Sequence, residues 1–315
     1  MNPTPETDAT AAWDQDWHDG RLASCGGEGG ANYQPVITAG WRRFFDSLAN
    51  GAHVLDVCTG NGAVARLAAE VAVERNLRVA IDAVDSALLN PIALEPGADM
   101  IRFSSRVAAE SLPFPDANFD VIVGQYAIEY TDLARSMPEL RRVSRPAARV
   151  RFVTHAAGSV FVQAAGRQLD DAQRLLGTGI FEAANALARA SANPASLAES
   201  NAARTHFQQS LQALHDASTR SEDLQMYQNV GNVLVHALSV QAQAGTDAVL
   251  AKIAEVASAI RAHEARLSAM RRAALDDKRA QAFGDMAGRL WSRPFTMEAL
   301  ARPDGALFGW VFASA

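Results

Sequence analysis

Cysteine is scarce in this chain, which has two among 315 residues, at positions 25 and 58. Two thiols this far apart in sequence offer neither a disulfide framework nor a cysteine metal site, and they suit a reducing compartment. The histidines are too scattered for the spacing of metal ligands, so we expect no bound metal. No stretch approaches the length of a membrane span, and acidic residues stand where a signal peptide would need a basic and then an apolar run. We therefore predict a cytoplasmic protein with no membrane span.

Basic residues are also few, and they form no dense block. Lys and Arg number 29 against 35 Asp and Glu, which gives a net charge of −6. A chain of this charge has no general attraction for polyphosphate, so a nucleic-acid partner is disfavoured and a small molecule fits better. The hydrophobic content of 49% is enough for one large core or two smaller ones. We expect two domains.

The first half of the chain alternates apolar strands with helices. Residues 1–12 are polar and contain prolines, which predicts a disordered tail. Trp41, Phe44 and Phe45 fall at helical spacing and predict a helix that packs on a sheet. Alternation of this kind requires a doubly wound, mostly parallel α/β sheet that binds ligands beyond the carboxyl ends of its strands. We predict strands at 53–57, 78–85, 100–103, 119–123 and 148–154, with helices at 62–74, 87–92 and 131–143 among them.

The second half changes in character. Residues 158–292 are rich in Ala, Gln, Glu, Arg and Leu, and apolar residues from Val249 to Met270 recur at heptad spacing. We predict a large α-helical insertion that forms a lid over the site or the surface of a homodimer. Residues 293–315 then return to strand with a Pro303-Asp304-Gly305 turn, which predicts a terminal antiparallel hairpin. Together with 13–157, this hairpin completes a Rossmann-like domain.

A glycine turn marks the first candidate site. The run Val54 to Ala65 indicates a buried strand, a turn with Gly60 and Gly62, and then a helix. The absence of Cβ atoms lets a ligand approach the backbone, and the start of the helix presents free N–H groups. The same pattern fits the dinucleotide fingerprint, so the turn alone leaves a nicotinamide cofactor and S-adenosylmethionine both open.

A second segment distinguishes the two cofactors. Leu112 to Tyr130 is a proline-bounded turn, an apolar strand and a polar exit, with the run Leu-Pro-Phe-Pro-Asp-Ala-Asn-Phe-Asp at its start. With the glycine turn, it resembles the small-molecule, ubiquinone/menaquinone-methyltransferase-like branch of the class I S-adenosylmethionine-dependent methyltransferases. The resemblance covers about residues 50–157 and the last twenty or so. Cys58 and Ala108 depart from it, because the family commonly has Gly at the first position and often an Asp for adenine at the second.

The resemblance implies S-adenosylmethionine as cofactor. Asp56 would accept a hydrogen bond from the ammonium group of the cofactor. The alternative is that Asp56 only caps the turn. Asp85 would accept from the ribose hydroxyls, with Asp82 as its rival. Glu110 is an alternative adenine contact. The full set of predicted cofactor residues is Tyr33, Asp56, Thr59, Gly60, Asn61, Gly62, Asp85, Ser86, Ala109, Glu110 and Gln125.

The implied reaction is direct methyl displacement onto a small, hydrophobic acceptor, for which alignment in a dry site matters most. His155 could take or hold an acceptor proton near neutral pH, or it could simply hydrogen-bond locally. Glu129 and Tyr126 are the other catalytic candidates. Two alternatives stay open: an NAD-dependent oxidoreductase, disfavoured because Asp85 lies farther from the glycines than the roughly twenty residues of the fingerprint, and an inactive cofactor fold that serves as a helical assembly module.

Overall fold

A computed structural model describes residues 13–14, 16–18, 20, 22–23, 32–91, 97–192, 197–221 and 223–314. The stretch 1–12, predicted to be disordered, lies outside these residues. The chain divides into two compact units. Unit 1 is formed by Met1–Ala164 with Ala269–Ala315, and unit 2 by Ala165–Ser268.

A seven-stranded sheet organises unit 1, with the order β3-β2-β1-β4-β5-β7-β6. Strands β1 to β5 pair in parallel, and β7 runs antiparallel to both β5 and β6. The predicted Rossmann-like sheet with a terminal antiparallel hairpin is confirmed. The strands are β1 His53–Val57, β2 Ala80–Asp85, β3 Ile101–Ser105, β4 Phe119–Gln125, β5 Ser144–Thr154, β6 Phe295–Ala301 and β7 Leu307–Ser314.

The helices of both units follow the apolar periodicity of the sequence. They are α1 Pro35–Phe45, α2 Ala63–Glu74, α3 Leu133–Val143, α4 Val160–Gly177, α5 Ile180–Ala192, α6 Leu197–Ser218, α7 Leu224–Ser239, α8 Gln241–Ala244, α9 Thr246–Ala273 and α10 Asp277–Trp291. Short 3₁₀ turns cover Ala98–Met100 and Ile128–Tyr130. None of the described helices is long and apolar enough to cross a bilayer.

Each unit has a hydrophobic core of its own. In unit 1, strands β1, β4 and β5 share a core with α3 and α10, in which Phe283 lies beside Phe152 and Phe312. In unit 2, α5, α6, α7 and α9 bury a separate set of side chains that includes Tyr227, which is 2% exposed. The predicted insertion, 158–292, is therefore wider than the compact helical unit, because α10 packs with the sheet.

One predicted helix is absent. The described part of the segment 87–92, which ends at residue 91, is irregular. Its backbone N–H groups are bonded to side chains instead of to helical carbonyls: Ala87 to Asp85, Leu88 to Asp14 and Leu89 to Ser105. Carboxylate and hydroxyl acceptors that bind backbone N–H groups in this way compete with helix formation. The prediction of a helix at 87–92 was wrong for this reason.

Candidate functional site

The carboxyl ends of the parallel strands meet along one edge of the sheet. Asp56 lies one residue before the end of β1, Asp85 ends β2, Gln125 ends β4, and His155 follows β5. The four side chains are buried, between 0% and 7% exposed. This edge, which we call the rim, is where open α/β sheets bind ligands, because the loops diverge there.

Asp56 stabilises the glycine turn and has acceptor capacity left. Its Oδ2 accepts from the Thr59 hydroxyl at 2.5 Å and from the backbone N–H of Ala65 at 3.1 Å. Its Oδ1 is buried without a hydrogen-bond partner among the described residues. Burial raises the pKa of this carboxyl to about 7. Both readings of Asp56 are thus compatible with the geometry: one oxygen caps the turn and the other is available to a donor.

The two turn glycines adopt backbone conformations that other residues avoid. Gly60 has φ +55° and Gly62 has φ +89°. A Cβ atom at Gly60 would lie 2.6 Å from the Trp17 ring, and one at Gly62 would lie 2.6 Å from the Phe103 ring. The residue ahead of them, Cys58, also has a left-handed φ of 51°, which costs a non-glycine residue about 1–2 kcal/mol. A glycine would adopt this φ without that cost.

Asp85 connects β2 to the glycine turn. Its Oδ2 accepts from the N–H of Gly60 at 2.9 Å and its Oδ1 from that of Ala87 at 2.8 Å. Burial raises the pKa of this carboxyl. Asp82, the other candidate for the ribose contact, is instead hydrogen-bonded to the side chains of His53 and Arg102, each at 2.6 Å. Asp82 therefore links strands, whereas Asp85 lies against the turn.

Residues before the first strand cover the turn. The Trp17 ring lies over Gly60, and the Trp17 carbonyl accepts from the Asn61 amide at 2.9 Å. The Asp14 carboxylate pairs with both terminal nitrogens of Arg106, at 3.0 and 2.8 Å. Trp13 stacks on Trp17 at 5.7 Å between ring centroids. Nothing in the local sequence around Trp17 identifies Gly60, more than 40 residues later, as its contact.

Gln125 is held by a tryptophan that the helical pattern had assigned to ordinary core packing. The indole N–H of Trp41 on α1 donates to Oε1 of Gln125 at 2.5 Å. Because an indole N–H can only donate, the facing amide atom must be the oxygen. Nε2 is then the remaining donor, and it is buried without a partner among the described residues.

Glu129 joins the ends of two strands. Its Oε2 accepts from the N–H of Ala127 after β4, and its Oε1 from that of His155 after β5, at 2.9 and 2.8 Å. Burial raises the pKa of this carboxyl to about 7, although the backbone hydrogen bonds lower it in part. A carboxyl with this pKa can exchange a proton at neutral pH.

His155 and Tyr126 lie face to face. Their ring centroids are 4.1 Å apart with an interplanar angle of 4°. Burial lowers the pKa of His155 to about 3, which favours the neutral ring at neutral pH. The Tyr126 hydroxyl donates to the Phe308 carbonyl at 3.1 Å. Tyr33 and Phe161 meet the Tyr126 ring edge to face, which makes an aromatic wall at the rim.

The other predicted cofactor residues have varied surroundings. The Asn61 amide bonds within the protein on both sides, to Trp17 and Asn90. Glu110 accepts from the backbone N–H of Asp132 at 2.9 Å. Ser86 is exposed and Ala109 is buried in the sheet core.

Four carboxyl groups surround the first rim loop. The pKa of the Cys58 thiol is raised well above its ordinary value by burial, and then by the charges of Asp85, Glu110, Glu129 and Asp56. A concentration of acidic groups around one buried loop favours a cationic ligand. S-adenosylmethionine carries such a cation, together with an amino-acid end. The unpartnered Oδ1 of Asp56 and Nε2 of Gln125 are a buried acceptor and a buried donor suited to ammonium and carboxylate, so the residues present fit this cofactor.

The strand order, the antiparallel β7 and the glycine turn between two acidic strand ends are similar to the fold of the class I S-adenosylmethionine-dependent methyltransferases. Residues 55–152 match the family model described as a methyltransferase domain. The uncharacterized methyltransferase YcgJ of Bacillus subtilis (strain 168) is 34% identical over 105 residues, which cover 33% of this chain and 41% of that protein. The chain thus spans less than half of this curated relative.

Solved structures resemble the chain more weakly. The structure of Bacillus YcgJ is 24% identical, covers 44% of this chain and 58% of that one, and gives a TM-score of 0.30. The Burkholderia thailandensis 1,6-didemethyltoxoflavin-N1-methyltransferase, solved with 1,6-didemethyltoxoflavin and S-adenosylhomocysteine, is 20% identical, covers 50% and 66%, and gives 0.36. The [4+2]-cyclase SpnF is 19% identical, covers 79% and 87%, and gives 0.35. Likeness at this level assigns no substrate.

Proposed function

We propose that the protein transfers a methyl group from S-adenosylmethionine to a small, hydrophobic acceptor by direct displacement. The observation that carries this proposal is the acidic rim around Gly60 and Gly62, with Asp56 and Asp85 at the ends of adjacent strands. The bound cofactor would supply an electrophilic methyl group on a sulfonium cation. The carboxyl groups favour that cation, and its amino-acid end would lie against the glycine backbone in the place that the Trp17 ring takes here.

Each rim residue has a distinct part in this proposal. Oδ1 of Asp56 would accept from the ammonium group, and Nε2 of Gln125 would donate to the carboxylate, since both atoms are buried and lack partners in the described chain. Asp85 has one backbone donor on each oxygen, which leaves further lone pairs for the ribose hydroxyls. Ala108 stands where the family often has an Asp that contacts adenine. We therefore assign the adenine contact to Glu110 or to the backbone beside Ala109.

The aromatic wall supports an apolar acceptor. Tyr33, Tyr126, His155 and Phe161 present ring faces and edges at the rim, and Phe308 stacks on Phe161 at 5.1 Å. Such a wall excludes water and favours a planar or aliphatic molecule over a polar polymer. Glu129 is the group able to take a proton near neutral pH, whereas His155 contributes a neutral ring.

Calorimetric titration of the full chain with S-adenosylmethionine, S-adenosylhomocysteine and NAD tests the cofactor. We expect saturable binding of the first two and none of NAD. Asp85→Asn should weaken binding by about tenfold or more, the cost of a lost hydrogen bond to a charged group. Asp82→Asn, on the same strand but bonded to His53 and Arg102, is the matched control and should leave the Kd within about twofold. Binding of NAD alone, or of none of the three, would refute the proposal.

Transfer of a radiolabelled methyl group into a cell extract tests the acceptor class. We expect the label in the fraction that organic solvent extracts, at low molecular mass. Label that precipitates with protein or nucleic acid would exclude a small hydrophobic acceptor while leaving the cofactor assignment intact.

We also propose that unit 2 mediates homodimerisation in the cytoplasm. Its helix α7 exposes Leu224 at 49% and Val235 at 46%, and their spacing along the chain places both on one face of the helix. Light scattering after size exclusion should give twice the mass of the chain, and Val235→Glu should return the monomer. A monomeric mass for the unaltered protein at high concentration would contradict this part of the proposal.

A further inference from the structure

Strand β5 carries two arginines on one face. Val150 and Phe152 belong to the core of unit 1, and because side chains alternate along a strand, Arg149 and Arg151 point to the opposite face. They pair in register with Val121 and Val123 of β4, and so lie in the middle of the sheet, ahead of the rim. Charged residues at such positions require specific partners.

Aromatic rings of α1 form a platform beneath these arginines. The guanidinium carbon of Arg149 lies 4.2 Å from the centre of the Phe44 ring, and that of Arg151 lies 5.7 Å from the same ring. Arg151 is also 5.1 Å from the Trp41 ring. A Cβ atom at Gly40 would come within 3.2 Å of Nη2 of Arg151, so the glycine leaves room for the guanidinium group. Stacking fixes the orientation of the groups but provides no acceptor for their N–H donors.

Hydrogen-bond donors of both arginines are left over. Nη2 of Arg149 donates to the Phe44 carbonyl at 3.0 Å, whereas Nη1 of Arg149 and Nε of Arg151 are buried with no partner in the described chain. A buried donor without an acceptor costs about 1–3 kcal/mol, and more when it is charged. The described residues therefore supply no hydrogen-bond acceptor for these two nitrogen atoms.

The charges around the two arginines do not balance. Arg43 on α1 is the third cation, and Glu298 on β6 is the acid that acts on Arg151, yet no carboxylate of the described residues lies within ion-pair distance of the three guanidinium groups. Burial lowers the pKa of Arg151 to about 10; Glu298 opposes this, and Arg43 and Arg149 add to it. The chain has a net charge of −6, so a cluster of unpaired cations is unexpected.

We propose that Arg43, Arg149 and Arg151 form a binding site for an oxyanion of the phosphate class, separate from the rim. Guanidinium groups bind phosphate oxygens through paired N–H bonds, and an anion here would accept from the two buried donors and relieve the repulsion among three cations. The phosphate group belongs to a free metabolite or to a lipid headgroup.

Binding of inorganic pyrophosphate by the full chain tests the site. We expect saturable binding by calorimetry, and a rise in Tm of about 3 °C at ten times the Kd, beyond the effect of sodium chloride at equal ionic strength. Arg151→Gln should abolish both effects. The matched control is Arg145→Gln, on the same strand, because Arg145 is already paired with Asp120 at 2.5 Å. Its pyrophosphate affinity should stay unchanged.

A second variant and a lipid-binding experiment complete the test. Arg43 is exposed on α1, so Arg43→Gln should fold whatever happens to Arg151→Gln, and it should weaken binding severalfold. Sedimentation with phosphatidylcholine vesicles that do or do not contain phosphatidic acid identifies a lipid source. Binding to pyrophosphate or to the acidic vesicles that these variants weaken supports the site. The proposal is overturned if neither binds, or if Arg145→Gln weakens binding as much as Arg151→Gln.

Discussion

The indole N–H of Trp41 donates a buried hydrogen bond to the side-chain oxygen of Gln125, across 84 residues of sequence. The bond joins α1 to the end of β4 and fixes which way the amide points. Trp41 is therefore a positioning residue for the rim as well as a residue of the core.

Trp41→Phe should weaken S-adenosylmethionine binding by about 5–10-fold. Phenylalanine retains most of the ring packing but cannot donate, so the Gln125 amide loses its fixed orientation, at a cost of about 1 kcal/mol or somewhat more. Calorimetry gives the Kd. Trp291→Phe is the matched control, because the Trp291 indole also donates a buried bond, to Ser144 at 3.1 Å, away from the rim. Equal losses of affinity in the two variants would contradict the positioning role.

Asp56→Asn should make the free protein more stable above pH 7. The folded pKa of Asp56, about 7, lies above the ordinary 3.8, so the stability contributed by this carboxyl is present below about pH 4 and is lost as pH rises through 7. Asparagine keeps an oxygen for Thr59 and Ala65 but never ionises. The variant should exceed the unaltered protein by on the order of 3 kcal/mol at pH 8 and by less at pH 5.

Urea denaturation at pH 5 and pH 8 measures this difference. Exposed Asp46→Asn controls for a general charge effect and should show no such difference between the two pH values. The pKa of Glu129 in the folded protein is also near 7, so the stability of Asp56→Asn should still fall somewhat as pH rises. A variant that loses stability from pH 5 to pH 8 as steeply as the unaltered protein would show that Asp56 is not the titrating group.

His155 should remain neutral throughout the range from pH 5 to pH 8. Burial lowers its pKa to about 3, so the imidazole chemical shifts in nitrogen-15 NMR should stay constant while free histidine in the same buffer titrates. Assignment by comparison with His155→Gln identifies the signal. A midpoint inside this range would restore the ring as a proton acceptor for the acceptor molecule.

Gly62→Ala should destabilise the protein more than Gly51→Ala. Both glycines have left-handed φ angles, +89° and +81°, but only the Cβ at position 62 would collide with a neighbour, the Phe103 ring. Gly51→Ala thus measures the conformational cost alone, about 1 kcal/mol. We expect Gly62→Ala to cost at least 1 kcal/mol more by urea denaturation, and Phe103→Leu in the same background to recover part of it. Equal costs would mean that the ring moves freely.

The sequence predicted the sheet because its strands are continuous apolar runs between glycine, proline and polar residues. It placed Asp56, Asp85 and Gln125 at one edge because each lies at or next to the end of a strand. The heptad spacing of apolar residues from Val249 to Met270 predicted α9 in the same way, from periodicity along the chain.

Other features depend on contacts between distant segments, which periodicity does not encode. The Trp41 to Gln125 bond and the Trp17 ring over Gly60 each join remote parts of the chain. Helix α10 has the same composition as the insertion, and only its burial against Phe152 and Phe312 assigns it to the sheet. The segment after β2 was predicted to be helical because two of its competing side-chain acceptors, those of Asp14 and Ser105, lie elsewhere in sequence.

The Trp17 ring occupies the space directly over Gly60, where a molecule lying against the turn would come to rest. An indole moved from a buried face into water changes its emission wavelength and intensity. Trp17 is one of five tryptophans in the chain, so the part of the stopped-flow fluorescence change that Trp17→Phe removes would time ligand entry without any attached dye.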